Sequence, residues 1–130
     1  MNPEWLLIAP IEPVAWQRVR RDRHGTTYVP KETARFKHDL AMIAKSKFLR
    51  APYAGPLKVQ LMFWLPKPKR PKAHEPCVRP DLDNYVKGVF DALNGIVWDD
   101  DGQIVQLIAE KRYATEKPQI WITVQALGTN

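Results

Sequence analysis

Between Gly55-Pro56 and Pro66 the residues Leu57, Val59, Leu61, Phe63 and Leu65 alternate with Lys58, Gln60, Met62 and Trp64. Successive side chains of a strand point to opposite faces, so this period of two makes 57–65 the clearest strand in the chain, with one continuous apolar face. Such a face needs a covering layer, and the strand needs neighbours to pair with. The rest of the chain has to supply both.

Trp5 to Ile11 is a short apolar run ended by Glu12-Pro13, the pattern of a buried first strand. Trp16 to Pro30 carries strand-like arms on either side of a turn signal at Gly25, and its arginines make it a basic loop or ribbon. Lys31 to Arg50 places Phe36, Leu40, Ile43, Ala44 and Phe48 at steps of three and four, which predicts an amphipathic helix. Leu82, Tyr85, Val86, Val89, Phe90 and Leu93 repeat the helical spacing up to Asn94-Gly95, with Asp81 or Asp83 as N-cap. After a short apolar segment at 96–98 and an acidic turn at 99–102, Gln103 to Tyr113 reads as a strand. There Val105, Leu107 and Ala109 are expected on one face and Ile104 and Ile108 on the other. Gln119 to Leu127 reads as the last strand, with Ile120, Ile122 and Val124 together. The expected class is α+β, a mixed sheet of about five strands with two main helices packed on it. A length of 130 residues suits one domain spanning 1–130 and is short for two.

Charge and cysteine usage narrow the function classes. Twenty Lys plus Arg against 14 Asp plus Glu give a net charge of +6, which favours a polyanionic partner such as nucleic acid. The one cysteine, Cys77, excludes an internal disulfide and a cysteine-based zinc site, and fits a reducing cytoplasm. His24, His38 and His74 lack zinc spacing. No apolar run approaches a membrane span, and no Gly-rich phosphate loop or nucleophile elbow is present, so neither a membrane nor a nucleotide cofactor is expected. Pro66 to Pro76 has too many prolines for a helix or an inner strand, so it is read as an exposed loop carrying Lys67, Lys69, Arg70 and Lys72. Such a loop can be a solubilising linker. That it leads straight into an acidic cluster favours function.

The cluster comprises Asp81 and Asp83 at the helix start and Asp99, Asp100 and Asp101 in the turn. Like charges gathered in this way repel one another unless a cation or hydrogen-bond donors relieve them. Each aspartate alone has an ordinary explanation: an N-cap, an ion pair between Asp83 and Lys87 four residues on, an Asp-Gly turn. N-capping needs only one of the first pair, however, and hard cations such as Mg²⁺ or Mn²⁺ take a few carboxylates together with water and phosphate oxygens. Asp81 and Asp83 are therefore expected to share a divalent ion, with Asp101 meeting them from the turn. An EF-hand counted from Asp99 fails, because its sixth position is Ile104 instead of glycine.

Arg79-Pro80-Asp81-Leu82-Asp83-Asn84-Tyr85-Val86-Lys87, then Phe90-Asp91-Ala92-Leu93-Asn94-Gly95, then Trp98-Asp99-Asp100-Asp101-Gly102-Gln103-Ile104-Val105 resemble the RusA family of Holliday junction resolvases. Upstream, Gln17-Arg18-Val19-Arg20 with Gly25, Tyr28 and Pro30 resembles a family segment that usually reads Lys-Arg-Pro-Arg, with Gln17 and Val19 as departures. The resemblance implies a homodimeric, Mg²⁺-dependent endonuclease, bacterial or phage-encoded, that cuts two strands of a four-way DNA junction symmetrically. It assigns Asp81, Asp83 and Asp101 to the metal, with Asp100 as the alternative third ligand, and Lys87 to the phosphate. Arg18, Arg20, Lys67, Lys69, Arg70, Lys72, His74 and Arg79 would hold the DNA, largely through phosphates. The rival class is a noncatalytic basic nucleic-acid-binding protein with a structural acidic cluster.

Overall fold

In the computed structural model residues 4–128 are described, so the outermost positions of the domain expected over 1–130 lie outside the described residues. The alternating stretch forms β4 (Leu57–Leu65), with Leu57, Val59, Leu61, Phe63 and Leu65 all buried. It sits inside a mixed sheet of order β1-β6-β4-β5, where β1 is Glu4–Ala9, β5 is Ile104–Tyr113 and β6 is Gln119–Ala126. β4 runs antiparallel to β6 and parallel to β5, and β1 pairs antiparallel with β6. The sheet has four strands where the sequence predicts about five. The arms of the basic hairpin, β2 (Arg20–Arg21) and β3 (Thr27–Tyr28), pair only with each other in a separate ribbon. Asp22 pins that ribbon's turn by accepting the backbone N–H groups of His24 and Thr26.

Two helices, α1 (Lys31–Lys47) and α2 (Leu82–Leu93), supply the covering layer. Phe36, Leu40 and Ala44 of α1 and Val89, Ala92 and Leu93 of α2 join Phe63, Ile120 and Ile122 of the sheet in one core. Burying a Leu, Ile or Phe side chain contributes roughly 1.5–3 kcal/mol, so this layer is the main source of stability. Trp98, fully buried after α2, donates its indole N–H to Asn94 Oδ1 at 2.7 Å. The parallel β4–β5 pair requires a long crossover. The irregular segment 66–81 followed by α2 provides it, and so sets the place where α2 starts.

Two strand expectations change. β1 ends at Ala9 and buries one face only, with Leu6 64% and Ile8 54% exposed on the other, so its apolar run marks an edge strand with an open outer face. In β5 a bulge lets Ile104 pair with Leu57 while Gln106 pairs with Lys58, leaving Val105 without a partner. The extra residue shifts the alternation. Ile104 therefore packs against the core together with Ala109 and Tyr113, and Ile108 is turned away.

Candidate active site

Of the two N-cap candidates, Asp81 occupies the N-cap of α2 with extended backbone (φ −71°, ψ 148°), yet its carboxylate makes no capping hydrogen bond. Only its carbonyl is engaged, accepting Asn84 N–H at 3.2 Å. Asp83 lies in the first turn, and both aspartates are exposed. Between them Leu82 packs against the core. Carboxylates at a helix N-terminus gain roughly 0.3–1 kcal/mol from the partial positive charge there, which lets the pair stand without a cap bond.

One turn further on, Lys87 projects from the same helix face. Its Nζ lies 3.5 Å from the centroid of the Trp16 ring, and among the described residues it forms no ion pair with Asp83. The helical salt bridge that the spacing allows is replaced by a cation–π contact. Trp16 is held in place by its backbone N–H, which donates to Asn84 O at 2.9 Å. Gly88 lets the 14–16 segment lie close on the helix: a Cβ there would stand 3.2 Å from Val14 O. Tyr85 is buried against Phe63, and burial, with the Glu12 carboxylate adding to it, pushes its phenol above the ordinary value.

Lys111, on β5, is a residue that sequence reasoning missed. It pairs with buried Phe63, beside Ala109 and Tyr113 that pack against the core, and its Nζ donates to Val78 O at 2.7 Å and Pro80 O at 2.8 Å. The signal was a lone charge on an apolar strand face.

The acidic turn is built differently. Asp100 caps the short 3₁₀ turn Asp101–Gln103, accepting Gly102 N–H at 2.9 Å. Gln103 Oε1 accepts the N–H groups of Asp99 and Asp100, while its Nε2 donates to Tyr53 O and Gly55 O. Asp100 is thus occupied in capping, whereas the half-buried Asp101 has no side-chain hydrogen bond among the described residues.

These two acidic corners do not meet within one chain. α2 runs from Asp81 toward the acidic turn, and β5 runs back until Lys111 touches Pro80. Twelve helical residues alone separate the ends by about 18 Å. The expectation that Asp101 joins Asp81 and Asp83 from its own turn is corrected accordingly. Among the described residues no three His, Cys, Asp or Glu side chains gather closely enough to hold a metal ion. Asp81 and Asp83 by themselves still suit a hard cation, because Mg²⁺ commonly uses one or two carboxylates and completes its shell with water and phosphate oxygens.

The candidate DNA contacts are exposed. Arg18 and Arg20 belong to the ribbon segment, where Arg20 also donates to Gln17 Oε1 at 3.3 Å. Lys67, Lys69, Arg70 and Lys72 line the irregular loop. His74, also on that loop, lies 3.3 Å from Glu75, which Arg112 of β5 binds at 3.1 Å. Arg79 lies just ahead of the α2 start. No helix among the described residues is long and apolar enough to cross a membrane.

Residues 10–125 match the family described as Endodeoxyribonuclease RusA. A Bacillus subtilis (strain 168) protein called uncharacterized protein YqaN is 33% identical over 132 residues, covering 90% of this chain and 92% of the relative. Crossover junction endodeoxyribonuclease RusA of Escherichia coli (strain K12) is 29% identical over 117 residues, covering 89% of this chain and 90% of the relative. Its counterpart from Enterobacteria phage 82 is 28% identical with the same coverage.

Proposed function

Since the chain belongs to the RusA family of endodeoxyribonucleases, we propose that it resolves four-way DNA junctions by paired, metal-dependent strand cuts. The observation that carries this reading is the α2 start, where two exposed carboxylates, without a side-chain hydrogen bond or ion pair among the described residues, stand one turn from an oriented ammonium. Asp81 and Asp83 hold a divalent ion, Mg²⁺ or Mn²⁺. When bound, the ion supplies an activated water and charge stabilisation at the scissile phosphate. Lys87, steered by Trp16, places a positive charge beside that phosphate and can give a proton to the leaving oxygen. The basic ribbon and the 67–72 loop grip the junction arms through phosphates, which gives affinity with little sequence information.

A homodimer fits this chemistry, because two symmetry-related strands must be cut together. It also addresses the separation of the acidic corners. β5 is an edge strand whose free side spans the distance between them, with Val105 65% and Leu107 41% exposed. Antiparallel pairing of β5 with the same strand of a second copy sets the start of one against the end of the other. Asp101 of the partner subunit then comes beside Asp81 and Asp83, and Asp101 is the more suitable donor because Asp100 is engaged in its cap.

The test is a synthetic four-way junction incubated with purified protein, with and without Mg²⁺ or Mn²⁺, beside fork and duplex controls. Symmetric cuts in two strands that require the metal and prefer the junction are expected. Tight junction binding with no cleavage under any metal would assign the chain to noncatalytic DNA binding instead.

A further inference from the structure

Resting on the reading that Asp81 and Asp83 hold the metal, we propose that Lys111 is a positioning residue that fixes the acidic pair from below. The chain from Pro66 to Asp81 has no helix or strand of its own to orient it. Its last stretch must nevertheless deliver Asp81 to the N-cap of α2 in one orientation. Lys111 does this from the rigid sheet: the strand is paired with β4 along its length, and one ammonium takes the carbonyls of Val78 and Pro80 together. Fixing the carbonyls on both sides of Arg79 fixes the direction in which the backbone reaches Asp81. A neighbouring tie, Arg112 to Glu75, holds the same loop further out, several residues from the acidic pair.

The position of Lys111 also argues for this role. In its row of β5 Ala109 and Tyr113 pack against the core, and the half-buried Lys111 gives up side-chain freedom to lie along it. Its two carbonyl hydrogen bonds offset that loss. An apolar residue would fill the row but take away the donor that joins the carbonyls of Val78 and Pro80, leaving the α2 entrance without this tether.

Charge and positioning predict opposite signs, which makes the role testable. By charge alone, removing a cation from the α2 entrance, where it touches Pro80 O, strengthens the hold of the acidic pair on a divalent ion. By positioning, it weakens that hold, in the range of about 10–100-fold seen when groups that orient metal ligands are lost. The full-length protein is compared with Lys111→Met and with Lys111→Gln, which keeps a donor on a shorter reach. Mn²⁺ binding is measured by water-proton relaxation, the Mg²⁺ requirement by junction cleavage, and backbone order at 78–84 by hydrogen exchange without metal.

The expected result for Lys111→Met is a rise of about tenfold or more in both metal constants and faster exchange at 82–84, with metal-free junction binding unchanged. Lys111→Gln should fall between the two and guards against a Met variant that fails to fold. Unchanged or tighter Mn²⁺ binding in a folded variant would overturn the positioning role while leaving the active-site reading intact. A parent protein that neither binds Mn²⁺ nor cuts would remove both.

Discussion

Asp81 and Asp100 occupy the same position in their respective elements, the residue before a helical turn, yet only Asp100 commits its carboxylate to the turn. Asp100 accepts Gly102 N–H and is braced by Gln103, whereas the Asp81 side chain makes no cap bond and neighbours a second exposed carboxylate, Asp83. A carboxylate used as a cap contributes to stability and has less capacity left for a ligand. One left unpaired at a helix N-terminus contributes little to the fold and keeps its lone pairs free. Substitutions at the two corners should therefore fail in different ways, Asp81 and Asp83 in activity and Asp100 in stability.

The largest expected effect comes from Asp81→Asn and Asp83→Asn. Asn keeps size and capping ability while removing ligand charge, so cleavage should fall by at least about 100-fold, equivalent to roughly 2.7 kcal/mol of barrier. Thermal stability should move by less than about 1 kcal/mol, because only a helix-end charge is lost. Junction binding without metal should hold or tighten, as repulsion of the phosphates declines. A calorimetric scan and a filter-binding titration beside the cleavage assay check all three. A large stability loss with normal cutting would make this corner structural after all.

Lys87→Ala comes next, with an expected loss of about tenfold or more in cleavage, since each 1.36 kcal/mol of lost transition-state stabilisation is tenfold. Binding should be little affected. Single-turnover rates at saturating protein separate the two, and near-normal rates would leave Lys87 as a packing partner of Trp16.

Asp100→Ala sharpens the other side of the comparison. Loss of the cap should lower stability by about 0.5–1 kcal/mol, a fall in Tm of roughly 2–5 °C, while cleavage falls far less than in Asp101→Asn. Equal losses of cleavage in the two variants would erase the distinction drawn between adjacent aspartates.

The smallest effect concerns pH at the 81–85 corner. Because burial raises the Tyr85 phenol above its ordinary 10.0, the folded state holds that proton more tightly than the unfolded state. The resulting stability is fully present below pH 10.0 and is lost as pH rises from there through the folded value. Urea midpoints at successive alkaline pH values should therefore decline less steeply in Tyr85→Phe than in the parent, and parallel declines would contradict this.

Period-two alternation located β4 and β6 almost to the residue, since each buries one face against the helices. The start of α2 and the exposure of the basic segments were equally legible. What the sequence could not convey was distance. Asp81 and Asp101 read as one cluster because 20 positions separate them in the chain, but the intervening residues form an extended element that holds its ends apart. The bulge opposite Leu57 was hidden for a related reason: one unpaired residue changes which side of β5 faces inward without altering its composition. Trp16 was visible as an aromatic in a basic segment, but its contact with Lys87 is tertiary, made where the 14–16 segment lies along α2.

The proposed active centre spans two copies of the chain, and mixed dimers test that directly. Asp81→Asn and Asp101→Asn chains, each inactive alone, would be co-expressed with different tags, purified through both, and given a four-way junction and Mg²⁺. If each site takes Asp81 and Asp83 from one copy and Asp101 from the other, the mixed dimer holds one intact site and should nick one strand of the junction. No nicking by the purified mixed dimer, or failure to recover any mixed dimer, would contradict the account.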